Sequence, residues 1–188
     1  NRLSVDGDTG RIRSLVCGSR TLIANKSDDL GPFRLHVPLP DYEAHMVEAF
    51  QTKPRVERKG DSIIIRYASV VGKRGPMPID AQVTIASRGD GCFELSCHVV
   101  NRSDYPIPQI FFPWIAGFHP VDGPEDQLTY GKGTFKPWRE FVKKYNQSDL
   151  RFMAHLSRPV FFGHPFFPYN SSEIGGGAMK WLDIGGES

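Results

Sequence analysis

Two stretches of strict alternation constrain this chain more than any other feature. Ile79, Ala81, Val83 and Ile85 are interleaved with Asp80, Gln82 and Thr84, and Phe93, Leu95, Cys97 and Val99 with Glu94, Ser96 and His98. Successive side chains of a strand point to opposite faces, so each segment is a strand with one dry face and one wet face. Such strands build antiparallel sheets. The rest of the first hundred residues agrees. Residues 3–5 and 11–17 flank Asp6-Gly7-Asp8-Thr9-Gly10, a hairpin turn built from residues that tolerate positive φ and bond their own backbone. A strand over 33–37 ends at Pro38 and Pro40, and strands over 55–59 and 62–71 bracket a Gly60-Asp61 turn. Residues 46–51 have room for one helical turn at most. Turn signals at this spacing predict an all-β fold, an antiparallel two-sheet sandwich.

The second half changes character. Residues 105–169 hold 16 of the 22 aromatic residues and 9 of the 15 prolines. Proline removes a backbone donor, so this stretch is expected to form strands interrupted by long ordered loops. A short helix is expected over 138–145, and Gly175-Gly176-Gly177 is a hinge before a last strand over 178–184. No repeat and no linker divides the chain, so residues 1–188 are expected to form one sandwich domain. The abrupt stop after a strand-like run suggests a fragment of a longer multidomain protein, with its C-terminal strands missing.

Composition narrows the function classes. Lys plus Arg is 23 and Asp plus Glu 21, a net charge of +2, with the charges interleaved rather than gathered into the basic surface that nucleic acid requires. No apolar stretch approaches the roughly 20 residues of a membrane span. Cys17, Cys92 and Cys97 are odd in number, which excludes a full disulfide framework, and they are expected to be three buried thiols. His36, His45, His98, His119, His155 and His164 show no metal-ligand spacing. Asp6-Gly7-Asp8 resembles the start of a calcium loop, but Cys17 stands where the twelfth-position Glu belongs. Gly72-Lys73-Arg74-Gly75 lacks the phosphate-loop spacing, and no Gly-x-Ser-x-Gly elbow is present. Neither cofactor nor metal is expected. The glycosylation sequons at Asn25, Asn101, Asn146 and Asn170 need no explanation beyond chance.

Several segments together resemble a known family. Phe33-Arg34-Leu35, the paired strands over 61–71 and 79–101 with their Val100-Asn101-Arg102-Ser103 corner, Ile110-Phe111-Phe112-Pro113 followed by Gly117, and Met179-Lys180-Trp181-Leu182-Asp183 are similar to segments of the galactose-mutarotase-like β-supersandwich domains of bacterial glycoside hydrolases. The resemblance implies a non-catalytic N-terminal sandwich that packs on a catalytic (β/α)₈ barrel. It does not imply mutarotase activity. Where the mutarotases carry their first His, this chain reads Asn101-Arg102-Ser103-Asp104-Tyr105, and their second His and late Glu have no counterpart.

Sugar binding needs aromatic faces for apolar ring faces and planar polar groups for hydroxyls. Trp114, Trp138 and Tyr130 are the candidate platforms, and Arg139, Glu140, His119, Asp122 and Lys132 the candidate hydrogen-bonding groups. Trp138-Arg139-Glu140 is the leading cluster, because binding residues concentrate on loops held by a rigid scaffold. The competing reading is that these aromatics only pack loops onto the sheet. The acidic run from His119 to Asp126 is expected to be a solvated loop, and the apolar run 161–167 to be core or a contact with the missing part. The expected partners are an oligo- or polysaccharide and the absent C-terminal catalytic domain, with no nucleic acid and no membrane. Two alternatives stand beside this. One is a free-standing sugar epimerase or polysaccharide lyase using His119 or His155 with Arg139 or Arg151. The other is a structural or interaction domain using 161–167.

Overall fold

The computed structural model describes residues 1–26, 31–40, 45–89 and 91–119 in full, and the backbone of four later strands, Gln127–Tyr130, Thr134–Pro137, Leu150–Ser157 and Leu182–Gly185. In chain order the strands are β1 (Arg2–Val5), β2 (Ile12–Cys17), β3 (Arg20–Ala24), β4 (Arg34–His36), β5 (Met46–Glu48), β6 (Arg55–Lys59), β7 (Ser62–Tyr67), β8 (Val71–Gly72), β9 (Gly75–Pro76), β10 (Ile79–Ser87), β11 (Phe93–Asn101), β12 (Gln109–Phe118), β13 (Gln127–Tyr130), β14 (Thr134–Pro137), β15 (Leu150–Ser157) and β16 (Leu182–Gly185). The one helical turn among the described residues is 3₁₀, Ala49–Gln51. The protein is all-β and its strand pairs are antiparallel.

Two sheets hold the core. The larger has the order β1-β2-β3-β12-β4-β5, with β15 also paired to β12, and the smaller is β11-β10-β7-β6. Alternation sets which face of the smaller sheet turns inward. Ile79, Ala81, Val83 and Ile85 are 0%, 4%, 0% and 2% exposed, and Val83 sits between Ile65 and Cys97 in register. Ile12, Ile23, Leu35 and Val47 of the larger sheet join Ile65, Tyr67 and these β10 residues in one cluster. Burying a side chain of this size contributes about 1.5–3 kcal/mol.

Tyr67 ties the first hairpin to this core. Its ring meets Phe33 edge-on at 5.1 Å, and its hydroxyl donates to the Thr9 carbonyl at 2.8 Å. Burial pushes its phenol well above the ordinary value. Gly10 is required beside it: φ is +74° and a Cβ would lie 2.0 Å from the Tyr67 hydroxyl. The hairpin turn is closed by Asp6, whose Oδ1 accepts from the Thr9 amide at 2.8 Å and the Thr9 hydroxyl at 2.7 Å. The Val100–Ser103 corner works the same way. Asn101 Oδ1 accepts from the Ser103 amide at 3.0 Å, and its Nδ2 donates to the Tyr105 carbonyl at 2.7 Å.

The structure departs from the sequence reading at several points. The expected strand over 62–71 is two elements: β7 ends at Tyr67, Ser69 takes a left-handed φ of 49°, and Val71 starts the small β8–β9 hairpin. The Ser69 amide donates to Asp80 Oδ1 at 3.0 Å, which holds the break. β3 has no place in that reading, since only Ile23 of its five residues is buried. Prolines were expected to interrupt central strands, yet Pro113 lies inside β12. The ladder to β15 skips Phe112 and Pro113, and the Trp114 amide donates to the Pro32 carbonyl at 2.8 Å instead. A register shift of this kind lets a strand carry a residue without an N–H. The thiols are not all buried: Cys92 is exposed, while Cys17 and Cys97 are half-buried. Burial pushes the Cys97 thiol up to about 12. The last strand observed is Leu182–Gly185. Residues 178–181 and the helix expected over 138–145 lie outside the described residues.

Candidate functional site: the outward face of the larger sheet

β12 is the centre of this site. Along one edge it pairs with β15. Its other edge is shared, with Gln109, Ile110 and Phe111 opposite His36, Leu35 and Arg34 of β4, and Phe118 opposite Ile23 of β3. Gly117 makes the sharing possible. Its φ is +83° and a Cβ there would lie 2.6 Å from the Asn25 backbone. β5 continues the sheet, with Arg34 opposite Glu48 and His36 opposite Met46.

The period of two then sorts these residues. Leu35, Val47 and Ile110 pack with the main core. Arg34, His36, Met46, Glu48, Gln109 and Phe111 take the other face. That face is also covered: Phe111, Trp114 and Ala116 form a second buried cluster with Met46 against it. His36 is 5% and Gln109 3% exposed. The Arg34 guanidinium lies 3.8 Å from the Trp114 ring centroid, Phe111 stands 6.1 Å from Trp114 at 58°, and Arg34 Nε forms an ion pair with Glu48 Oε1. The two charged side chains are 14% and 12% exposed. Burial holds His36 below its ordinary pKa, with the neighbouring Gln109 side chain pulling upward and His45 pushing further down. Burial therefore favours the neutral imidazole of His36.

A nearly buried Arg–Glu pair is expensive to desolvate and persists where geometry and hydrogen bonding compensate. The aromatic contact adds about 0.5–2 kcal/mol to the hold on Arg34. Chemically, the cluster offers a guanidinium, a carboxylate, an imidazole and an amide around aromatic rings.

Trp114 belongs to this cluster, with one ring face occupied by Arg34. His119 follows β12 at the end away from Gln109, half-buried, its amide donating to the Leu22 carbonyl at 3.0 Å. Tyr130 is placed on β13, in register with Thr134 and Leu182. Trp138, Arg139, Glu140, Asp122 and Lys132 lie outside the described residues. No sequence pattern singles out Glu48 or Gln109, and Arg34 and His36 stand out only through a family likeness and the histidine spacing. The signal was present, since Arg34 and His36 alternate with Phe33, Leu35 and Val37. It marks a second face without saying whether water or protein covers it.

Among the described residues no three His, Cys, Asp or Glu side chains are grouped to hold a metal ion. In particular Asp6 is engaged with Thr9 and Arg13, and Asp8 with Lys53 at 2.9 Å. No described helix is long and apolar enough to cross a membrane. Set against family models, curated proteins and solved structures, the chain matches none of the three.

Proposed function

We propose that this chain is a saccharide-contacting β-sandwich module of a carbohydrate-active enzyme, of the supersandwich kind, that packs beside a catalytic domain and has a binding rather than a catalytic role. The observation that carries the reading is the meeting of β4 and β12. Phe33-Arg34-Leu35 and Ile110-Phe111-Phe112-Pro113, two of the segments that resemble the galactose-mutarotase-like domains, are far apart in sequence and are neighbours in the sheet. Together they gather Arg34, Glu48, His36, Gln109 and Trp114 on one face. A guanidinium next to a carboxylate suits vicinal hydroxyls, and aromatic rings suit the apolar face of a pyranose.

Calorimetric titration with a panel of neutral and acidic oligosaccharides tests this. Binding is expected, with affinity reduced about tenfold or more by Glu48→Gln, as loss of a charged hydrogen-bond acceptor predicts. Far-ultraviolet spectra would show that the variant keeps its sheets. An absence of binding across the panel overturns the reading.

One observation favours a second reading, a free-standing epimerase or polysaccharide lyase. The register aligns Glu48, Arg34, Phe111 and His155 in one row across β5, β4, β12 and β15. That row sets a proton-transfer residue type in register with an arginine whose charge is shared with Glu48. Incubation with uronate polymers should then yield an unsaturated product with a new ultraviolet absorbance; its absence on every polymer removes this reading.

A further inference from the structure

The two edges of the smaller sheet differ. β6, at one edge, reads Arg55-Val56-Glu57-Arg58-Lys59, the charged kind of strand that discourages pairing. β11, at the other, is nine residues long without proline, and among the described residues β10 is its only strand partner. Its inward residues Phe93, Leu95, Cys97 and Val99 are half-buried where those of β10 are fully buried. The hydrogen-bond parity of β11 can be read from its ends. The Arg88 amide donates to the Cys92 carbonyl at 3.0 Å, and the Arg102 amide to the Pro78 carbonyl at 2.9 Å. Even-numbered residues therefore bond toward β10, and the backbone groups of Phe93, Leu95, Cys97 and Val99 point outward from the edge.

We propose that this edge pairs with the β11 edge of a second copy, antiparallel, about a two-fold axis at Ser96. The reason is self-complementarity. Folding Phe93-Glu94-Leu95-Ser96-Cys97-His98-Val99 back on itself at Ser96 sets Phe93 opposite Val99 and Leu95 opposite Cys97, which are the residues whose backbone groups are outward. It also sets Glu94 opposite His98, both exposed and on the wet face. Glu94 and His98 then form a non-hydrogen-bonded pair, the closer kind, in which the carboxylate accepts a hydrogen bond from the imidazole. The ion pair of Glu94 with exposed Arg88 leaves a second carboxylate oxygen for this contact. Slipping the pairing by two residues loses the Glu94–His98 match, so charge selects the register. The smaller sheets of two copies would become one continuous sheet, an isologous interface of the sort that closes a dimer.

Sedimentation of the 188-residue chain should give a mass of twice 21.1 kDa. Ser96→Cys, made together with Cys92→Ser, should form a covalent dimer under oxidation, because Cα atoms of a non-hydrogen-bonded pair are about 4.5 Å apart, within disulfide reach. Peptide mapping should place the bond between the two residues 96. His98→Glu sets two pairs of carboxylates against each other and should weaken the dimer about tenfold, while the double swap Glu94→His with His98→Glu should restore it. These residues are exposed, so each variant should keep the wild-type circular dichroism. A chain that sediments at 21.1 kDa at every concentration overturns the proposal, as does a dimer in which residue 96 stays reduced, which would place the contact on another surface. Monomers whose Leu95 and Cys97 amides resist hydrogen exchange would also overturn it, since the edge would then be covered by the chain itself.

Discussion

Each of the two sheets turns a charged face away from their shared core, and the two faces are opposite in energetic character. On the smaller sheet Arg66 is paired with Glu57 at side-chain exposures of 44% and 35%, and Arg102 with Asp80 at 59% and 36%. On the larger sheet Arg34 and Glu48 are 14% and 12% exposed and pressed against Trp114. The ion pairs are alike in chemistry. Water screens the first two and is nearly excluded from the third, so one face behaves as an ordinary solvated surface and the other as a largely desolvated polar layer. The first hairpin holds an intermediate case, Asp6 with Arg13 at 18% and 34%.

The comparison breaks if the energetic order does not follow burial. The largest effect is expected from Arg34→Met, which strands Glu48 and should cost about 3–5 kcal/mol, read as a fall in the unfolding midpoint of about 10 °C. Replacing both partners, Arg34→Met with Glu48→Leu, should recover much of that stability in chemical denaturation, because no unpaired charge remains. If the double variant is as unstable as the single, the stability comes from the stacking on Trp114 rather than from the ion pair.

A smaller effect belongs to Asp6. Its partial burial would raise its pKa, but hydrogen bonds from the Thr9 side chain, Arg13 and the Thr9 and Asp8 amides outweigh this and bring it down to about 2. The folded value is thus below the unfolded one, near 3.9. Its stabilisation is complete above about pH 4 and is lost as pH falls through 2, about 1 kcal/mol once solvent screening is allowed for. Asp6→Asn should flatten that part of the stability–pH profile; an unchanged profile would mean that Asp6 has the same proton affinity in the unfolded chain.

The smallest effect is expected from Glu57→Gln. Hydrogen bonding to Arg66 lowers the Glu57 pKa against a slight desolvation, with smaller help from Arg66, Arg55 and Lys59 charges. With water beside the pair, the thermal midpoint should stay within error of wild type. A loss comparable to that of Arg34→Met would show that exposure does not separate the two faces.

Much of the smaller sheet could be read in advance. β10 and β11 follow their alternation residue by residue, β6 is bounded as expected, and the Gly60 and Asp6–Gly10 turns stand where local chemistry puts them. These are short-range properties, decided by side-chain period and turn residues. The larger sheet was less legible. β3 carries only one buried residue and β12 contains a proline, and even in the smaller sheet Ser69 ends β7 through a bond to Asp80 on another strand. Each depends on a partner distant in sequence. The candidate site failed to be legible for the same reason: Arg34 and Glu48 look like ordinary wet-face residues until β12 brings Trp114 beside them.

What the amino-acid order alone determined here is the set of strands with one dry side, because a period of two and the turn residues act within a few residues of themselves. Which wet sides stay wet was left to the tertiary structure. Whether an arginine faces water or an indole depends on which remote segment closes over it, and that is a matter of how the sheets assemble rather than of any local pattern.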